Sequence, residues 1–122
     1  MQRALSLIAL ALAACATVPP ASARPTVRLG QSARISDVAV RPISLIEDSR
    51  CPAKVQCIWA GRVRILAQIS AHGERGARRE MTLGEPVAID QGRLTLIAVE
   101  PAKIAPGSTD PRAYRFTFRF ER

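Results

Sequence analysis

The sequence is poor in the residues that enzymes most often use for catalysis. Its 122 residues include one His, at position 72, and three Cys. A Ser-His-Asp arrangement would have to use His72 as its histidine, and no nucleophile elbow is recognisable in the sequence. The neighbouring carboxylates Glu47 and Asp48 are expected to cap and to form salt bridges. We therefore expect no catalytic residue, no metal and no cofactor, and interpret the chain as non-enzymatic.

The sequence also lacks an apolar run long enough for a permanent transmembrane helix, which needs about 20 residues. Its longest apolar run, residues 4–14, follows Arg3 near the N-terminus. One positive charge ahead of roughly ten apolar residues predicts a signal peptide. The sequence therefore indicates a protein that is exported from the bacterial cytoplasm.

Two cleavage sites compete at the end of this signal. Leu12-Ala13-Ala14-Cys15 resembles the lipobox of bacterial lipoproteins, which implies that Cys15 carries a diacylglycerol and that acyl chains such as palmitate anchor the protein. The alternative is Ala21-Ser22-Ala23, a small-x-small site for the ordinary signal peptidase, which would yield a soluble periplasmic or secreted protein. We favour the lipobox. Ala rather than Asp follows Cys15, and by resemblance to enterobacterial lipoproteins this implies the outer membrane, facing the periplasm.

The predicted organisation has three parts. Residues 1–14 form the signal peptide, with the lipobox at 12–15. Residues 15–25 are the lipidated Cys and a flexible, Pro-rich tether. Residues 26–122 form an all-β domain.

Negative charge is scarce. The net charge is +8, and all but two of the 18 basic residues are Arg, the exceptions being Lys54 and Lys103. A GC-rich genome favours Arg codons, and attraction to an anionic surface is the functional alternative. No aromatic residues interleave with the arginines, so we expect no nucleic-acid partner. The expected partners are a membrane, through lipid on Cys15, and an envelope protein or ligand of unknown identity; the oligomeric state stays open.

Convincing amphipathic helices are missing, whereas strand patterns are frequent. Residues 114–120 alternate aromatic side chains with Arg or Thr, which predicts a strand with one buried face, so Phe116 and Phe118 should lie in the core. Residues 57–70 predict a second strand, with Trp59 facing inward beside Cys57. We expect a small antiparallel sandwich or barrel of about seven short strands, with one loop stapled by a disulfide. The weaker strands are 26–29, 39–47, 77–83, 87–89 and 93–100.

Once Cys15 is lipidated or removed, Cys51 and Cys57 are the only cysteines left. An oxidising compartment then predicts a disulfide between them, with Trp59 shielding it from reductant. The surrounding segment, DSRCPAKVQCIWAG at 48–61, resembles uncharacterised small envelope proteins of bacteria that carry DSRCP and CIWAG. This resemblance implies the disulfide and the envelope location, and it transfers no catalytic residues.

The 51–57 loop is interpreted first as a structural staple. The functional alternative is an interaction loop, and the residues that it would present to a partner are Asp48, Arg50 and Lys54. We favour a non-enzymatic binding or interaction module of unknown ligand. The alternative is a periplasmic inhibitor of a protease or other hydrolase, which would present Lys54 on a preorganised ring.

Two chemical interpretations of the same cysteines stay open at this point. One is a metal held by Cys51, Cys57 and His72, for which no fourth ligand is evident. The other is a redox pair, although redox dithiols usually have C-x-x-C spacing at the start of a helix.

Overall fold

The structure is a computed structural model that describes residues 15, 24–53, 55–103 and 109–122. Over these residues the chain forms eight β-strands and one 3₁₀ helix of three residues, which confirms the all-β prediction. No helix in this part of the chain is long and apolar enough to cross a membrane. The elements are β1 (Thr26–Val27), β2 (Ala33–Ile35), β3 (Val38–Asp48), β4 (Val63–Ala71), β5 (Ala77–Thr82), β6 (Val87–Ile89), β7 (Gly92–Glu100), the 3₁₀ helix (Pro111–Ala113) and β8 (Arg115–Glu121).

The strands form two antiparallel four-stranded sheets. Sheet I has the order β1-β8-β7-β6, and sheet II has the order β2-β3-β4-β5. Both sheets contribute side chains to one hydrophobic core, so the fold is a sandwich. Sheet II is built from strands that are consecutive in sequence, whereas sheet I pairs the first strand with the last.

Strand β8 supplies the largest side chains of the core. Phe116 and Phe118 are fully buried, as predicted, and Tyr114, immediately before the strand, is buried with them. The rings of Tyr114 and Phe116 stack with their centroids 5.9 Å apart. Phe120, near the end of the strand, is only partly buried. The alternation of aromatic and polar residues therefore defines the inner face of β8.

Strand β4 starts later than the sequence pattern predicted. Its inner face holds Val63, Ile65, Ala67 and Ile69, all buried. The prediction began the strand at Cys57, and this is wrong. The ladder between β3 and β4 ends where Asp48 pairs with Val63, so earlier residues have no strand beside them. They form a loop instead.

The sequence pattern also missed β2, which has only three residues. It pairs with the start of β3 through a tight turn at Ser36 and Asp37. Ser36 adopts a left-handed backbone with φ of 55°, and this conformation allows the chain to reverse within two residues. A strand this short offers no alternation to detect.

The two ends of the sandwich differ in construction. At one end, called the turn end, lie the turns that contain Ser36, His72 and Asp90, each with a positive φ. The opposite end, called the loop end, holds the end of β3, the start of β4 and the start of β8. The loop that joins β3 to β4 therefore lies at the loop end.

Candidate functional site

Residues 49–62 form a closed loop between β3 and β4, here called the stapled loop. Cys51 and Cys57 are joined by a disulfide, with their Cα atoms 5.9 Å apart, which confirms the predicted pairing. Below the disulfide, the Ser49 N–H donates to Arg62 O at 2.9 Å, and the Arg62 N–H donates to Ser49 Oγ at 3.0 Å. The Cys51 N–H also donates to Ala60 O at 3.3 Å. The two arms of the loop are thus held together by the disulfide and by these three hydrogen bonds.

Gly61 makes the close approach of these arms possible. Its φ is +72°, in the left-handed region that favours glycine. A Cβ at this position would lie 1.8 Å from the backbone oxygen of Ser49. No other residue fits there unless the arms move apart.

A half-buried ion pair fixes the base of the stapled loop. Arg50 donates to both oxygens of Asp48, from Nε at 2.9 Å and from Nη2 at 3.0 Å. The Tyr114 hydroxyl donates to Asp48 Oδ2 at 2.6 Å. The hydrogen bonds from Arg50, and then that from Tyr114, lower the pKa of Asp48 to about 2 against the opposing effect of burial. Burial, and then the bond to Asp48, raises the pKa of Tyr114.

The same arginine ties the stapled loop to sheet I. Arg50 Nη1 donates to Val99 O at 2.9 Å, and Nη2 donates to Pro101 O at 3.0 Å. Lys103 completes the attachment, because its Nζ donates to Asp48 O at 3.0 Å and its carbonyl accepts from the Ala53 N–H at 2.9 Å. The loop therefore rests on both sheets. Arg50 and Asp48 therefore pair with each other and also satisfy backbone groups.

The outer part of the stapled loop exposes apolar side chains. Ile58 is 93% exposed and Trp59 is 81% exposed, and Val55 is also exposed. The prediction that Trp59 faces inward and shields the disulfide is wrong. Because β4 begins only at Val63, the alternation of residues 57–61 does not continue into the core. Ile58 and Trp59 are called the Ile58–Trp59 tip below.

Arginines neutralise the carboxylate that borders the loop on β3. Glu47 Oε2 accepts from Arg64 Nε at 2.7 Å and from Arg62 Nε at 2.9 Å. Both hydrogen bonds lower the pKa of Glu47, and the bond from Arg64 has the larger effect on it. The expectation that Glu47 and Asp48 take part in salt bridges therefore holds for both.

His72 lies at the turn end, at the opposite end of β4 from the stapled loop. Its Nε2 is 2.9 Å from Asp90 Oδ2, and Arg122 donates to Asp37 Oδ2 at 3.2 Å beside it. This placement, together with the oxidised cysteines, overturns the metal interpretation that combined Cys51 and Cys57 with His72. Across the described ranges, no group of three or more His, Cys, Asp or Glu side chains could hold a metal ion.

The other candidate residues are Cys15 and Lys54. Cys15 is exposed and is not part of the disulfide. Lys54 lies outside the described residues. Tyr114 and Lys103 also belong to the site, and no sequence signal assigns them to the loop because both are distant from it in the chain. Trp59, predicted in the core, lies in the loop. The exposed Ile58 carried no sequence signal of its own.

The chain matches no protein-family model, no curated protein and no solved structure.

Proposed function

We propose that the protein is an exported envelope lipoprotein, anchored through Cys15, that acts as a non-enzymatic binding module through its stapled loop. The observation that carries this proposal is the exposure of Ile58 and Trp59 as consecutive side chains. Water contact at two large apolar groups is unfavourable by roughly 25 cal/mol per Å² of apolar surface. Such exposure on an otherwise ordinary surface is typical of an interaction site.

The construction of the loop supports the same proposal. The disulfide, the Ser49–Arg62 contacts and the Asp48–Arg50 pair hold the loop in one arrangement before any partner binds. Preorganisation lowers the entropy cost of association. Tryptophan is also among the residues that contribute most to binding energy at interfaces. A loop that served only to connect β3 with β4 would need none of these apolar side chains in water.

The anchoring part of the proposal is tested by replacing Cys15 with Ser. The variant should leave the membrane fraction or remain uncleaved, because only a thiol forms the thioether to lipid. Intact mass of the mature protein separates the two cleavage sites. A soluble product that begins at Arg24 would overturn the lipoprotein assignment and leave export intact.

The binding part is tested with a photo-reactive amino acid at position 58 in intact cells. We expect an adduct with a partner, and we expect Trp59→Ser to reduce its yield. The matched control places the same photo-reactive residue at Gln91, which is exposed at the turn end, where no adduct should form. Equal labelling from both positions, or none from position 58, would contradict a binding role for the loop.

An inhibitor of a periplasmic protease or other hydrolase is the second candidate. It is supported by the backbone on either side of position 54, because the Ala53 N–H donates to Lys103 O and the Val55 N–H donates to Pro52 O. These bonds preorganise the ring that an inhibitor would present. Lys54→Ala should abolish inhibition of a trypsin-like enzyme, whereas Trp59→Ser should not. Unchanged enzyme activity in the presence of the parent protein would exclude this candidate for that enzyme.

A further inference from the structure

The apolar side chains at the loop end have a composition that suits a lipid surface. The Ile58–Trp59 tip combines one aliphatic side chain with the only tryptophan of the chain. Tryptophan is enriched at membrane–water interfaces, where its ring sits at the level of the headgroups. A protein interface buries about 800 Å² on each partner, which is more than a few side chains provide. A bilayer accepts a small apolar tip without a matching pocket.

The charge around the tip complements an anionic leaflet. No Asp or Glu occurs in residues 49–73, and the net charge is +7 once residues 1–14, which include Arg3, are removed from the chain of net charge +8. The bordering carboxylates Glu47 and Asp48 are paired with arginine. Glu100, at the same end of the sandwich, lies opposite Arg115 in the β7–β8 ladder. Basic residues near a membrane are attracted by the negative potential of anionic lipids.

The anchor and the tip can reach the same leaflet. The chain from Cys15 to Arg24 has ten residues, and its two end Cα atoms are at most about 30 Å apart when it is extended. The chain then joins sheet I at Pro25, whose carbonyl accepts from the Phe118 N–H at 3.2 Å. Phe118 lies only about 13 Å along β8 from Tyr114 at the loop end. The extended tether is therefore longer than the distance from Pro25 to the start of β8, where the loop end begins.

We propose that the Ile58–Trp59 tip inserts into the headgroup region of the anionic leaflet that holds the lipidated Cys15. This inference rests on the proposed function, since it names the partner of the stapled loop. Lipid anchor and tip together would fix the orientation of the sandwich, with the loop end toward the membrane and the turn end away from it. The acyl chains on Cys15 supply the stable attachment, and the tip adds a second contact that sets the orientation.

The single tryptophan allows a direct test. Mature protein purified from the envelope is reconstituted into vesicles of phosphatidylcholine alone or mixed with phosphatidylglycerol. In the mixed vesicles we expect a blue shift of Trp59 emission, protection from iodide, and quenching by brominated lipid at least about twofold stronger than in phosphatidylcholine vesicles. High salt should reduce this difference.

Ile58→Asp is the informative variant, because it keeps the Trp59 reporter and changes a side chain that is 93% exposed. It should abolish the blue shift, whereas the matched variant Ile46→Asp, on β3, should not. Iodide quenching of Trp59 in the mixed vesicles that is as strong as in detergent-free solution without vesicles would overturn membrane insertion, and equal protection in both kinds of vesicle would overturn the preference for an anionic leaflet. If the position-58 adduct in cells is then a protein, this inference fails and the proposed function stands. If position 58 gives no adduct at all, both fail.

Discussion

The phenol of Tyr114 donates a 2.6 Å hydrogen bond to Asp48, a residue 66 positions earlier in the chain. This contact joins the end of β3 in sheet II to the start of β8 in sheet I. Arg50 binds the same carboxylate and reaches two backbone carbonyls beyond it. The Asp48 carboxylate therefore links both sheets to the stapled loop, beside the hydrogen bonds that Arg50 and Lys103 make with backbone groups.

The pairing of Asp48 predicts a specific acid dependence of stability. Its pKa is lowered from 3.8 to about 2 in the folded protein. A lowered carboxyl pKa stabilises the fold above the unfolded value, and the gain is lost as pH falls from about 4 to 2. Allowing for screening by water, the gain is about 1–2 kcal/mol. Urea unfolding of Asp48→Asn should show this loss at pH 7 and converge with the parent protein near pH 2.

Asp110 provides the matched control for this measurement. Its pKa is also lowered by an arginine, Arg112, but both side chains are largely exposed. Exposed pairs contribute little to stability, so Asp110→Asn should leave the pH profile almost unchanged. Parallel stability curves for Asp48→Asn and the parent from pH 2 to pH 7 would contradict the assignment.

Gly61 combines a left-handed backbone with an added-Cβ collision, and Gly84 shares only the first of these. Gly61 and Gly84 both have positive φ, at +72° and +85°, but only the Gly61 Cβ would collide with backbone. Alanine at either position incurs about 1 kcal/mol of backbone strain. Gly61→Ala should exceed the loss in Gly84→Ala by about 2 kcal/mol or more in urea unfolding. Equal losses would mean that the arms of the loop separate freely.

The aromatic face of β8 should dominate the stability of the core. Phe116→Ala and Phe118→Ala should each lower the free energy of unfolding by about 3–5 kcal/mol, because both rings are fully buried. Phe120→Ala should have a smaller effect, since that ring lies at the rim of the core. Chemical denaturation of the three variants gives the ranking directly. A near-neutral result at Phe116 or Phe118 would be incompatible with the sandwich described.

The disulfide should be structural and yet accessible. Native-state thiol labelling should find Cys51 and Cys57 unreactive, and replacing both with Ser should lower stability by about 2–3 kcal/mol. Because Trp59 points into solvent and Cys57 is exposed, a phosphine reductant should open the bridge without denaturant. Two free thiols in the native protein would refute the pairing, and reduction only after unfolding would indicate a covered bridge.

The sequence predicts the core of this fold better than its edges. Phe116 and Phe118 stand in a strict alternation, and such an alternation can bury only one face of a strand. The residues from Cys57 to Gly61 follow the same period of two, yet they lie in a loop. The pattern cannot show that β3 ends at Asp48 and leaves the residues before Val63 without a pairing partner.

The candidate site depends on contacts that no local pattern reports. Asp48 and Arg50 could be recognised as a pair from their proximity in the chain, and the disulfide from cysteine count and compartment. The alternating pattern of residues 114–120 assigns Tyr114 to the aromatic face of a core strand and does not indicate its hydrogen bond. Its hydroxyl contacts Asp48 only because the two sheets lie against each other at the loop end. That arrangement depends on the topology of the folded chain and not on a local sequence pattern.

The pairing of β1 with β8 also determines when the protein can finish folding. A ribosome delivers a chain with its N-terminus first, and Thr26 must wait for Thr117, 91 residues later, before sheet I can close. Sheet II has no such delay, because β2 to β5 follow one another along the chain. Until β8 has been synthesised, sheet I is incomplete and the inner face of β4 lacks part of its cover; exposed apolar surface of this kind promotes aggregation. Its folding is completed by the last strand to arrive.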